Sequence, residues 1–215
     1  MQSELNRALG DTLYRAAVVP VLTLETAEDG VEVARALARG GLDLIEVTLR
    51  TPAALEAIRA IRAEVPQARV GAGTVLTPEQ AQEAIAAGAR FIVSPGMTPR
   101  LIEAAQAWSV PFLPGAVTAS EAMALSDLGY RCLKFFPAEP AGGIRALKAL
   151  AAPLAEITFC PTGGIDPGNA RDYLRLDNVV AIGGSWVAPR EAVIEREWRT
   201  ITALAEEAAA LRRRG

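Results

Sequence analysis

The segment LDLIEVTLRTPAALEAIRAIRAEVPQARVGAGT, residues 42–74, changes its periodicity twice within one short stretch. Residues 42–50 are apolar and β-branched apart from Asp43, Glu46 and Arg50, which reads as a strand. PAALEAIRAIRAEV, 52–65, repeats apolar residues at i, i+3 and i+4 and reads as a helix, and ARVGAGT, 68–74, reads as a second strand. Strand, covering helix and strand in this order make a βαβ unit, whose two strands lie parallel.

The same alternation extends in both directions. AAVVPVLTL (16–24) precedes the segment, and RFIVSP (90–95), VPFLPGA (110–116), RCLKFFPA (131–138), EITFCPTGG (156–164) and VVAIGGS (179–185) follow it, eight strands in all. Ala-rich amphipathic stretches separate them, at 27–41, 77–89, 98–108, 118–129, 142–152 and 166–176, several ending near a glycine as helices do. Strands too apolar to face water on either side call for helices over a parallel sheet, and eight of them favour closure into a (β/α)8 TIM barrel. The expected layout is one α/β domain over residues 1–215. It has an extra N-terminal helix (1–15) across the barrel bottom, a barrel core (16–190) and a C-terminal helix (191–215) running from about Glu191 to Arg213. An open, doubly wound sheet would need a nucleotide fingerprint, and GAGTVL lacks the third glycine while no G-K-[ST] is present.

Bulk properties narrow the function. A chain that is 51% hydrophobic and 22% charged, with no biased tract, has the composition of a globular protein with a sizeable core. A net charge of -3 offers no basic stripe for nucleic acid, and the arginines of the terminal LRRRG read as cations at a helix C-terminus. The N-terminus lacks a signal-peptide pattern and no apolar run of about 18 residues marks a membrane span, so neither membrane nor export is expected and the cytoplasm is the expected compartment. Cys132 and Cys160 lie in apolar runs without CxxC spacing and read as buried thiols. The absence of histidine removes the Ser-His-Asp triad and the commonest metal ligand, leaving carboxylate, lysine, tyrosine, cysteine or water for acid–base work.

Lysine is nearly absent as well: Lys134 and Lys148 stand against twenty arginines. Lys148 can reach water from its helix, but Lys134 sits between Cys132, Leu133, Phe135 and Phe136 on a predicted strand, and an ammonium is rarely buried without a partner or a purpose. In a barrel the active site lies at the C-terminal ends of the strands. Those ends here carry Glu46, Thr48 and Arg50, then Thr74, Pro95, Lys134, Thr162 with Gly163 and Gly164, and Gly184 with Ser185. Period-2 geometry puts Glu46, Thr48 and Arg50 on one strand face and Cys132, Lys134 and Phe136 on another. A salt bridge of Glu46 with Lys134 alone would be an ordinary use of two buried charges, but such pairs contribute little net stability. A desolvated amine can instead attack a carbonyl and form a Schiff base, with Glu46 as proton carrier. Arg50 can fork onto a carboxylate and Thr74 can add a hydroxyl, which together imply a 2-oxo acid substrate. CPTGGI and AIGGS, at the ends of strands seven and eight, match the place where many barrels bind phosphate.

The runs EVTLRT, GAGTVLTPEQ, FIVSPG, PFLPGAVTASE, LKFFPAE, TGGI and GGSW resemble the 2-keto-3-deoxy-6-phosphogluconate (KDPG) aldolase / 4-hydroxy-2-oxoglutarate aldolase family from about Ala17 to Trp186. The resemblance implies a metal-free class I aldolase on a (β/α)8 barrel, assembled as a homotrimer, with no cofactor beyond the covalent Schiff base. By motif it implies Lys134 as nucleophile, Glu46 as acid–base, Arg50 and Thr74 on the carboxylate, and Pro95 and Phe136 lining the pocket. Thr162, Gly163, Gly164, Gly184 and Ser185 would form the phosphate cradle. The implied reaction cleaves KDPG to pyruvate and glyceraldehyde 3-phosphate, and 4-hydroxy-2-oxoglutarate to pyruvate and glyoxylate. The alternatives are an aldolase for the galactonate epimer and a non-catalytic phosphosugar-binding barrel. An epimerase of similar plan is disfavoured, since many of those use histidine or a metal.

Overall fold

Among the described residues, 1–211 of the chain, a computed structural model places eight short parallel strands in sequence with helices. The strands are β1 (Val18–Leu22), β2 (Leu44–Thr48), β3 (Arg69–Gly73), β4 (Ile92–Val93), β5 (Phe112–Leu113), β6 (Cys132–Phe135), β7 (Thr158–Pro161) and β8 (Ile182–Gly184). Helix α1 (Gln2–Ala16) precedes them. The first seven strands are followed in turn by α2 (Ala27–Arg39), α3 (Ala54–Glu64), α4 (Pro78–Ala86), α5 (Pro99–Ala105), α6 (Ala119–Asp127), α7 (Gly143–Ala151) and α8 (Ala170–Leu174), while α9 (Arg190–Ile194) and α10 (Trp198–Ala209) follow β8.

Pairing runs β5-β4-β3-β2-β1-β8 without interruption, and β6 pairs with β7. Single bridges close the two gaps: Gly115 meets Lys134 between β5 and β6, and Phe159–Val179 and Thr162–Gly183 join β7 to the β8 side. The sheet therefore curls into the barrel that eight βα units imply. Threonine sets the start of four outer helices. Thr26, Thr77, Thr98 and Thr118 each accept, through the side chain, the N–H three residues on, and so cap α2, α4, α5 and α6 directly after a strand.

Two apolar layers result. Leu37, Ile58, Ile61, Phe135 and Phe159 belong to the layer between strands and helices. Val19, Leu44, Phe91, Val93, Leu113, Cys132, Cys160 and Ala181 fill the barrel interior together with Leu9, Leu13 and Ala16 of α1. Helix α1 thus stoppers the N-terminal end of the barrel, as the sequence suggests, but polar groups fix it there. The fully buried Asn6 donates to Phe112 O (3.0 Å) and Cys132 O (2.9 Å) and accepts the N–H groups of Arg131 and Cys132, both at 2.9 Å. The Gln2 amide donates to Trp108 O and Val110 O.

One expectation needs correction. The C-terminal helix read as continuous from Glu191 is broken: Arg196 adopts φ 55°, in the left-handed region, and Glu197 N–H returns to Ala192 O, so α9 and α10 are separate helices. The far end of that reading, Arg212 and Arg213 with the rest of LRRRG beyond Leu211, lies outside the described residues. Helix α8 is also shorter than the 166–176 stretch, because Asp166 Oδ1 accepts the N–H groups of Gly168 and Asn169 and holds the first residues in a turn.

Candidate functional site

β2 and β6 stand opposite each other in a ring of eight, so inward side chains from the two can meet across the barrel. They do so at Lys134 and Glu46. Lys134 Nζ donates to Glu46 Oε1 at 2.8 Å and Oε2 at 3.1 Å, and the two side chains are 6% and 5% exposed. Lys134 is fixed by its backbone, which donates to Pro114 O and accepts from Ala116 N–H. Its Nζ also lies 5.8 Å from the centroid of the Phe136 ring, within cation–π range.

The space for the Glu46 carboxylate comes from a glycine. A methyl group at Gly73 would lie 2.0 Å from Glu46 Oε1 and 2.6 Å from its Cγ and Cδ. Gly71, two residues earlier, makes room in the same way for the Phe91 ring. Just beyond, Thr74 is half-buried with φ 58°, a backbone conformation that β-branched residues rarely adopt. Thr48, although on the Glu46 side of its strand, is tied to the wall by hydrogen bonds to Leu22 O and Thr23 Oγ1.

A cavity of about 560 Å³ opens at the C-terminal ends of the strands. It brings together Arg50, Phe136, Thr162, Gly163, Gly164, Gly184 and Ser185. Lys134 and Glu46, and Thr74 and Pro95 at the ends of β3 and β4, stand outside its lining, while Phe136 belongs both to the cavity wall and to the surroundings of Lys134. Arg50 is exposed at the start of the turn after β2. Gly163 and Gly164 have φ of 102° and 77°, so their backbone requires glycine. A methyl at Gly184 would collide with the Trp186 ring at 1.7 Å, and one at Gly183 would meet Thr162 Oγ1 at 2.3 Å. The glycine loop is supported from behind by Tyr173, whose hydroxyl donates to Glu139, a residue in turn bonded through its N–H to Gly163 O.

Below this level the two thiols pack into the interior. Burial pushes the Cys132 thiol up to about 12. Burial, then the neighbouring Cys132, raises Cys160 further. Both are reduced. Among the described residues no group of three or more His, Cys, Asp and Glu is placed to hold a metal ion, and no helix is long and apolar enough to cross a membrane.

An amine and a carboxylate held side by side away from water can exchange a proton while the amine is exposed to an incoming carbonyl. Sequence reasoning found both groups and missed Gly73, Gly183, Asn6, Tyr173 and the residues that α9 adds to the cavity. The glycines at 71 and 73 carried a signal, since two glycines at i and i+2 of a strand leave room on one face. Asn6, Leu9 and Leu13 fall at i, i+3 and i+7 on the buried face of α1, which was the signal available for Asn6, but its partners were not readable from that pattern.

Comparison with known proteins gives a family model, "Aldolase: KDPG and KHG aldolase", matching residues 9–204. The KHG/KDPG aldolase of Escherichia coli K12 is 51% identical over 196 residues, covering 91% of this chain and 92% of its own. A crystal structure of KDPG aldolase from Legionella pneumophila, with pyruvate captured at low pH as a covalent carbinolamine intermediate, superposes with TM-score 0.89 at 44% identity, covering 92% of this chain and 96% of that one. The 2-keto-3-deoxy-6-phosphogluconate aldolase of Zymomonas mobilis, solved with 3-phosphoglycerate, superposes with TM-score 0.88 at 47% identity, covering 95% and 96%.

Proposed function

Because the chain belongs to the KDPG and KHG aldolase family and is a carbon–carbon lyase, we propose that it cleaves 2-keto-3-deoxy-6-phosphogluconate to pyruvate and glyceraldehyde 3-phosphate through an imine on Lys134. 4-Hydroxy-2-oxoglutarate, giving pyruvate and glyoxylate, is its second substrate. The observation that carries this reading is the Lys134–Glu46 contact at 2.8 Å in a site almost closed to water. The covalent pyruvate adduct of the Legionella relative supports the same chemistry.

The cycle starts with the amine form of Lys134, its proton having passed to Glu46 or water. Nζ attacks the C2 carbonyl carbon, the carbonyl oxygen is protonated, and the carbinolamine loses water as Glu46 returns a proton, leaving a protonated imine. Glu46, directly or through a water, then takes the C4 hydroxyl proton. The C3–C4 bond breaks, its electron pair flows into the iminium to form an enamine, and C4 leaves as the aldehyde. Protonation of the enamine at C3 and addition of water at C2 release pyruvate and return the amine. Arg50 and Thr74 hold the pyruvate carboxylate, Pro95 and Phe136 bound the reacting carbons, and Thr162, Gly163, Gly164, Gly184 and Ser185 bind the phosphate through N–H and O–H donors.

The test is incubation with pyruvate and sodium borohydride, which reduces an imine to a stable amine, followed by peptide mapping. A single adduct on Lys134 is expected, and a folded protein without one sinks the proposal. Lys134→Arg is expected to abolish both adduct and turnover. By the same resemblance the enzyme assembles as a homotrimer, for which light scattering should give three times the 22.6 kDa chain mass.

A further inference from the structure

One wall of the cavity comes from α9, the short helix created by the break at Arg196. Arg190, Val193 and Ile194 all line the cavity, and their i, i+3, i+4 spacing places them on one helical face. The helix is tied at both ends. At its start Ala188 N–H donates to Ser185 O and Val193 N–H to Pro189 O, each at 3.1 Å. At its far end Arg196 Nε lies 3.4 Å from Asp29 Oδ1 at the beginning of α2.

Arg50 and Arg190 are the two cationic residues on this cavity among the described residues, and neither forms an ion pair there. The carboxylates on the wall are Glu25 and Asp29. Asp29 is occupied by Arg196 and by the Thr26 hydroxyl at 2.8 Å. A phosphate placed against Gly163, Gly164, Gly184 and Ser185 would receive hydrogen-bond donors but no positive charge from them. Removing a dianion from water without a counter-charge is costly, more so with Glu25 on the same wall. Arg190, five residues beyond Ser185 and directed to the same space, is the group able to supply that charge.

Resting on the function proposed above, we propose that Arg190 makes the enzyme select phosphorylated 2-oxo acids, its guanidinium forking onto the substrate phosphate while the glycine loops position it. Arg50 then serves the carboxylate end and Arg190 the phosphate end. The experiment compares wild type, Arg190→Ala and Arg190→Lys on two substrates, 2-keto-3-deoxy-6-phosphogluconate and the unphosphorylated 4-hydroxy-2-oxoglutarate, with pyruvate–borohydride trapping run alongside. In Arg190→Ala the ratio of kcat/KM for the phosphorylated over the unphosphorylated substrate is expected to fall about ten- to a hundred-fold, the range for losing a charged hydrogen-bond partner, mainly through KM. Arg190→Lys should restore part of it. An unchanged ratio, or equal losses on both substrates, overturns the assignment of Arg190 even where the Lys134 adduct forms normally. A wild-type protein that forms no adduct overturns instead the function on which the inference rests.

Discussion

Replacing Gly73 by alanine tests the role proposed for Glu46 while leaving the chemical identity of Glu46 and Lys134 unchanged. The added methyl would lie 2.0 Å from Glu46 Oε1, whereas ordinary carbon–oxygen approach is no closer than about 3.3 Å, so the carboxylate must move by about 1.3 Å. Lys134 Nζ already sits 2.8 Å away, which bars a direct inward move and forces the carboxylate to swing aside. If the Nζ–O distance grows from 2.8 Å to about 4.1 Å, Coulomb attraction at an effective dielectric of about 20 falls from about 6 to about 4 kcal/mol. The fold should survive a loss of about 2 kcal/mol, seen as a Tm lower by roughly 4–8 °C in a chain of this size. Catalysis should suffer more, because a proton carrier misplaced by about 1 Å costs on the order of a hundred-fold. The assay is pyruvate release from 2-keto-3-deoxy-6-phosphogluconate, coupled to lactate dehydrogenase, with deuterium exchange at the pyruvate methyl group followed by NMR. Turnover and exchange should fall together, while borohydride still traps pyruvate on Lys134. A Gly73→Ala enzyme with near-wild-type turnover and exchange would refute the reasoning, since the carboxylate position could then not matter to the proton steps.

Two further predictions concern the scaffold. Asn6→Ala removes four hydrogen bonds, three of them buried, between α1 and the β5–β6 end and should destabilise the fold by about 3–5 kcal/mol in urea titrations; a loss under about 1 kcal/mol would mean that water replaces the side chain. Stability should also fall as pH rises above 9, because the Cys132 thiol titrates near its ordinary 9.0 in the unfolded chain but at about 12 when buried, so the unfolded state releases a proton that the folded state keeps. Urea midpoints at pH 8 and pH 10 should show the decline, and Cys132→Ala should reduce it; an equal decline in both proteins would assign it elsewhere.

The barrel was legible because each strand is buried on both sides and each helix on one, so periodicity alone separates them. Lys134 was legible for the opposite reason, as a charge in a run where charge is costly. What escaped depends on contacts between distant segments. Asn6 bonds to residues more than a hundred positions away, and its own neighbourhood reads as an ordinary amphipathic helix. The room made by Gly73 is visible only once Glu46 is known to turn toward β3. The break between α9 and α10 falls at Arg196, a good helix former, because Glu197 and Trp198 bond back to Ala192 and Arg196 instead of continuing the ladder. Local propensity favoured one helix there, but the backbone turns at Arg196, whose side chain pairs with Asp29 of α2, and α9, which carries Arg190 on the cavity, ends before that turn.

The scarcity of lysine sharpens the argument about position 134. A chain that uses arginine twenty times and lysine twice meets almost every structural need for a cation with a guanidinium. An arginine opposite Glu46 could make the buried ion pair at least as well, since its fork matches a carboxylate with two parallel hydrogen bonds. Stability therefore gives no reason for lysine at this site. What the guanidinium lacks is an accessible neutral form, and without one it cannot attack a carbonyl. Lys134→Arg separates the two requirements: the ion pair and the fold should persist, with thermal stability near wild type, while imine formation is lost. A chemical role for Lys134 requires both results in the same variant; loss of the fold together with the adduct would return the residue to a purely structural account.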